Sequence, residues 1–275
     1  MYAAISGLEA HQTMLDVTAN NLANVDTIGY KAQRSTFVDE LSQMISAGTG
    51  PNGYNGGSNA KQVGLGVQVG SIDNMMGEGS MQSTGNPLDV AVQGEGFFQV
   101  DTGDPTATPA AGTIQYTRAG NFTLNSAGYL MTQSGQYVVG TATSGGTTQK
   151  FINVPPGSTD VAIGPDGSVS YVDATTAART TAGYVQLASF PNEAGLARDG
   201  GSLWSATSSS GAASTGSPGT GNYGQTIAGN LEMSNVDLAT EFTNMITAER
   251  GYEANSKVIT TADQMLSAVV NMPQG

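Results

Sequence analysis

The chain has 275 residues, no cysteine and a net charge of −13, although only 11% of its residues are charged. That length suffices for one or two domains with real cores. The lack of cysteine removes disulfide frameworks and thiolate metal sites, and the acidic balance makes nucleic acid an unsuitable partner. The 38 glycines exceed the average share and suit a surface structural protein better than an enzyme. Residues 1–30 show neither a basic n-region nor an uninterrupted apolar stretch, and no segment approaches the length of a membrane span. The expectation is a chain with no membrane insertion that would leave the cell, if it does, without a cleaved signal peptide.

The first element is a helix. Ile5, Leu8, Leu15 and Leu22, with Gln12 and Ala19 between them, recur three and four residues apart, the spacing of a coiled-coil seam. At the far end Leu238, Phe242, Met245, Tyr252, Ile259 and Leu266 follow the same rule, interrupted by Glu249, Ser256 and Asp263. The two helices would be roughly 35 Å and 50 Å long at the ideal rise per residue. Neither can bury its stripe alone, and the only helical pattern available to each is the other.

Between them the chain reads as β structure. Ile114 to Thr117, Phe122 to Leu124 and Tyr129 to Thr132 are short strands separated by Gly120-Asn121 and Ala127-Gly128, a β-meander. Val161 and Ile163 precede Gly164-Pro165-Asp166-Gly167, and Val169 and Tyr171 follow, which predicts a hairpin. Tyr184 to Phe190 is a further strand, stopped by Pro191. The fold class expected is therefore α+β, with N- and C-terminal helices paired as a coiled-coil-like stalk and a β-rich head from the middle of the chain. The division expected is residues 1–30 plus 235–275 as the helical stalk, 31–70 as a connecting segment with an extended loop, and 71–234 as the β-rich outer domain.

Catalytic chemistry finds little to stand on. His11 is the only histidine and lies on the flank of the first stripe, where a helix-surface role is the simpler reading. Gly64-Leu65-Gly66-Val67-Gln68-Val69-Gly70 resembles a phosphate loop only superficially, since no helix follows it; glycines at a bend between strands explain it better. Asp39 with Glu40 and Asp101 with Asp104 read as solvated faces, and Trp204 as a core anchor. No catalytic, cofactor-binding or metal site is expected, and no enzyme.

The opening heptads lead into Asn20-Asn21-Leu22-Ala23-Asn24 and Gly29-Tyr30-Lys31, and this run resembles the signature of bacterial flagellar rod and hook proteins. The resemblance extends through Leu88-Asp89-Val90-Ala91-Val92, Gly96-Phe97-Phe98, Tyr116 to Phe122, Ile163 to Gly167, Glu232 to Leu238 and Glu249 to Lys257. It implies a subunit that polymerises with itself into the hollow flagellar axis, its terminal helices forming an inner tube and its β domain lying outside. The ten stripe residues then become the self-assembly surface, and Asn20, Asn21, Leu22, Asn24, Gly29, Tyr30 and Lys31 the family motif. The partners implied are rod, hook cap and hook–filament junction proteins and the flagellar export apparatus, and the place is the extracellular hook and basal body.

Within that family, Met1 to Leu8, Lys61 to Gly66 and Leu231 to Leu238 look closer to the short hook proteins, so the flexible hook is the first reading and the rigid distal rod the alternative. Distal rod proteins carry a segment comparable to Ser42–Ala60 that is implicated in stiffness, and Trp204 stands where Tyr or Phe is more usual. A remoter alternative is a surface protein that binds or cleaves cell-wall polymer; cleavage would need carboxylates converging in a cleft.

Overall fold

The computed structural model describes residues 2–50, 56–105, 108–109, 113–146, 148–174 and 176–271. The order of elements is one helix, a long run of short strands and a second helix, so the α+β class with a β-rich middle holds. The chain divides into two compact units: Met1–Ala23, Gln33–Asp73 and Asp237–Gly275 form the first, and Asn24–Ala32 with Asn74–Val236 the second.

In the helical unit, α1 (Tyr2–Ala23) packs against α2 (Leu238–Val270). The pairing is antiparallel. Gly7 faces Asn255, His11 faces Gly251, and the amide of Asn21 donates to Glu241 at 3.3 Å. A Cβ on Gly7 would lie 2.6 Å from the Asn255 amide nitrogen, and one on Gly251 2.5 Å from the His11 ring, so both glycines are used for close approach. The buried positions of α1 are Ala4, Gly7, Ala10, Thr18 and Asn21, and that of α2 is Ala248.

This differs from the heptad seam expected above. Ile5 remains 44% exposed, Phe242 49% and Leu266 54%, Leu238 and Tyr252 are exposed as well, and Leu8, Leu15, Leu22, Met245 and Ile259 are half-buried. The reason is steric: two helices alone can bury one stripe each, and the stripe of small side chains lets the backbones approach more closely than the stripe of large ones.

Residues 31–70, expected as a connecting segment, contain strands β1 (Gln33–Asp39), β2 (Ser42–Ser46) and β3 (Lys61–Gly64) and the start of β4 (Val67–Asn74). β1 pairs with β4, where Thr36 and Ser71 share a hydroxyl hydrogen bond of 2.7 Å. β2 and β3 form a separate antiparallel hairpin, with Gln43 opposite Val63 and Met44 opposite Gln62. Part of the Gly-rich run 48–57, at residues 51–55, lies outside the described residues. Gly66 bends the chain from β3 into β4, as the glycine pattern suggested.

The β unit is built on one large sheet. Its main path runs Thr159–Ile163, Ser168–Val172, Arg179–Val185, Tyr137–Thr141, Phe97–Asp101, Gln115–Thr117, Leu203–Ser205, Ala197–Gly200. All three strands expected of the meander form, but only Phe122–Leu124 and Leu130–Thr132 pair with each other, while Gln115–Thr117 lies between Phe97–Asp101 and Leu203–Ser205; the hairpin pairs Ile163 with Val169. The expected strand Tyr184 to Phe190 is interrupted at Gln186, so that Leu187–Ser189 pairs with Phe97 and Phe98.

Phe97–Asp101 is buried at all five positions. Successive side chains of a strand point to opposite faces, and this strand accordingly feeds two cores. Phe98 and Val100 join Val90, Val92, Phe122 and Leu130 on one side, while Phe97 joins Tyr116, Phe190, Leu196 and Trp204 on the other. Phe98 meets Phe122 edge-on at 5.1 Å, and Tyr116 meets Phe190 likewise at 4.8 Å. Trp204 is a core anchor, as its uniqueness suggested.

Candidate functional site

The motif residues divide between the two units. Asn21 is buried in the helical unit, where its Oδ1 accepts from the Gln33 amide at 2.9 Å and its Nδ2 donates to the Gln33 carbonyl at 2.7 Å. Asn20 lies exposed on the helix, and Leu22 is half-buried. After α1 the chain turns: the Thr27 amide and hydroxyl bond the carbonyl and side chain of Asn24, both at 3.1 Å.

Gly29 then seats the segment in the β unit. Its φ is +65°, and an added Cβ would lie 2.6 Å from the backbone nitrogen of Ala119. Its amide donates to the Glu232 carbonyl at 2.8 Å. Only glycine combines that conformation with that approach. Tyr30 is buried beneath the guanidinium of Arg198, which lies 4.6 Å from its ring and 4.8 Å from the ring of Trp204. Arg198 also donates to the Lys31 carbonyl.

Lys31 is fully buried. Its Nζ is 2.6 Å from Oε1 of Glu232, whose side chain is also removed from water, and donates to the Gly77 carbonyl at 2.9 Å. Arg118 completes the cluster with Nη1 3.3 Å from the other Glu232 oxygen and Nη2 2.9 Å from the Gly94 carbonyl. The Gly79 amide adds a bond to Glu232 at 3.0 Å. Burial lowers the Lys31 pKa from its ordinary value, outweighing the attraction of Glu232. Burial likewise raises that of Glu193. Such a cluster fixes one arrangement of three distant chain segments, and its hydrogen bonds go to fixed backbone groups.

The sequence named Lys31 for the motif but not Arg118 or Glu232 as its partners. Both were visible only as members of other recognised runs.

The stripe residues meet a different fate. The exposed positions Ile5, Leu238, Phe242, Tyr252 and Leu266 leave the helices with a large uncovered apolar surface, to which Ile246, Val258, Met265 and Val269 add. Among the described residues, no helix is long and apolar enough to cross a membrane. Among the described residues, no three His, Asp or Glu side chains gather as a metal would require. His11 packs by its ring against Gly251 and 6.3 Å from Phe37.

The flagellar basal-body rod protein FlgG of Bacillus subtilis is 44% identical over 273 residues, spanning 99% of this chain and 98% of that protein. The chain belongs to the flagellar rod and hook protein family. It is a structural component of the flagellar axis. Family models match in chain order: flagella basal body rod protein over residues 1–31, the flagellar hook protein FlgE/F/G D1 domain over 91–171, and the flagellar basal body rod FlgEFG protein C-terminal region over 227–272. The FlgG rod protein of Agrobacterium fabrum is 41% identical over 97% of this chain and 96% of its own length. The flagellar hook protein FlgE of Treponema pallidum is 39% identical, but over 59% of this chain and 34% of its own length. The preference for the hook over the rod drawn from Met1 to Leu8, Lys61 to Gly66 and Leu231 to Leu238 therefore gives way, because similarity to the rod proteins spans nearly the whole of both chains and that to the hook protein only part.

Proposed function

We propose that this chain is the subunit of the distal flagellar rod, polymerising with itself into a rigid hollow shaft. The observation that carries the reading is similarity to rod proteins along essentially the whole of both chains, against partial coverage of a hook protein. The uncovered apolar residues of α1 and α2 support it from the physical side. Each large side chain buried on assembly contributes roughly 1.5–3 kcal/mol, and a contact between unlike surfaces whose rotation does not close builds an open helical filament. In this reading Ile5, Leu8, Leu15, Leu22, Leu238, Phe242, Met245, Tyr252, Ile259 and Leu266 are the self-assembly surface. The segments 1–30 and 235–275 form the inner tube, and 71–234 lies outside. The subunit reaches the axis through the flagellar export apparatus and adjoins other rod proteins at one end and the hook at the other.

Electron microscopy of polymer grown from purified protein tests this. Straight, stiff tubes are expected; curved, supercoiled tubes of the intact chain would return the assignment to the hook.

A further inference from the structure

The backbone passes between the two units four times, after residues 23, 32, 73 and 236. On the β-unit side, three of those passages meet at one side chain. Asn235 accepts the Ala32 amide on Oδ1 at 2.7 Å, and its Nδ2 donates to the Met75 carbonyl at 2.7 Å and to the Gly77 carbonyl at 2.9 Å. The Met75 amide in turn donates to the Ala32 carbonyl at 2.8 Å, and Lys31 Nζ shares the Gly77 carbonyl. The amide orientation is fixed by chemistry, since its oxygen faces an N–H and its nitrogen faces two carbonyls. In the helical unit the next residue, Gln33, is bracketed through both backbone groups by Asn21. Thus each unit holds its own end of the 32–33 peptide with an asparagine.

We propose that Asn235 is a positioning residue for the assembled axis: it joins the three chain passages at residues 32, 75 and 236 into one fixed root, so that a twisting load carried by those three passages enters the β unit at one shared point. This rests on the reading of the chain as a rod subunit. No other side chain type of this size supplies one acceptor and two donors in that plane. Aspartate keeps the acceptor for Ala32 but sets a carboxylate against two carbonyls, and alanine removes all three bonds.

The test uses the full chain with Asn235→Asp and Asn235→Ala. In the monomer, the Ala32 amide, which loses its bond to Asn235, should exchange about tenfold faster in Asn235→Ala, and the Met75 amide, held by the Ala32 carbonyl, should exchange faster as that root loosens, while the core amides of Val100 and Val138 keep their protection. In Asn235→Asp the Met75 amide should loosen more than that of Ala32. Tubes of either variant should bend or twist more easily than wild-type tubes, or fail to form although both units remain folded. Unchanged exchange at Ala32 and Met75, or a uniform loss of protection including Val100 and Val138, would overturn the proposal. So would variant tubes as stiff as wild type. If wild-type protein forms no tubes, the rod reading fails, and the exchange pattern alone still decides whether Asn235 holds the root.

Discussion

Lys31 and Glu232 lie 201 positions apart in sequence, and their charged atoms stand 2.6 Å apart out of contact with water. The pair is unequal. Burial outweighs attraction at Lys31, whereas Glu232 is the single carboxylate that Lys31 and Arg118 share. Removing Glu232 leaves two buried cations without the carboxylate they bond, with only the more distant Glu193 acting on them; Glu232→Ala is expected to cost about 3–5 kcal/mol of β-unit stability in urea unfolding. Lys31→Met leaves Glu232 with Arg118 and the Gly79 amide and should cost less than about 2 kcal/mol. Equal costs would mean that the cluster's stability does not centre on the carboxylate.

Two glycines of positive φ separate the effect of backbone conformation from that of packing. At Gly135, φ is +87° and an added Cβ meets open space, so Gly135→Ala should cost only about 1–2 kcal/mol for the left-handed conformation. Gly29→Ala adds a collision with the Ala119 backbone, which cannot swing aside. Its cost in the same unfolding experiment should exceed about 3 kcal/mol.

The uncovered helix face gives a prediction that splits folding from assembly. Phe242→Asp and Leu266→Asp change exposed positions and should alter monomer stability by no more than about 0.5 kcal/mol. In a polymer the same carboxylates would be buried without partners. Light scattering should therefore show no growth, while circular dichroism of the monomer remains that of the wild type. Normal growth of both variants would remove these side chains from the contact.

Acid should act on the helical unit in two opposed stages. Burial raises the Glu241 pKa above 4.5, against the hydrogen bond from Asn21, so the folded unit binds the extra proton first. Stability from this group is full below 4.5 and is lost as pH rises through the folded value. The Asp237 carboxylate caps α2 through the Ala239 amide and the Thr240 hydroxyl, and these bonds lower its pKa below 3.8. Its contribution is full above 3.8 and lost as pH falls through the folded value. Helix melting followed from neutral pH downward should first rise and then fall. Glu241→Gln should abolish the rise, and Asp237→Asn, which still caps, should soften the fall.

Periodicity in the sequence located both helices, and it also found the large apolar residues that an assembly would use. It did not find which face joins α1 to α2, because that contact uses Gly7 and Gly251, and the buried helix positions include Ala4, Ala10 and Ala248, whose small size carries little hydrophobic signal. Strands β1 and β2, and the pairing of β2 with β3, escaped notice for a related reason. They pair in twos with exposed polar residues such as Gln43, Lys61 and Gln62, and so lack the alternation that burial imposes. Tyr30 and Lys31 were recognisable as a motif, but their roles depend on Arg198, Arg118 and Glu232. No local pattern encodes partners so far along the chain.

The order in which the polypeptide is made gives the position of Glu232 and α2 another meaning. The carboxylate that binds Lys31 and Arg118, and the helix that packs against Gly7, come after nearly all of the β-rich run in chain order. Closing a 201-residue separation costs about 2 kcal/mol more in chain entropy than closing one a tenth as long, and contacts of such range fold slowly. Neither the Lys31 cluster nor the helix pair can therefore close before residues 232 and 238–270 have joined the segments that precede them.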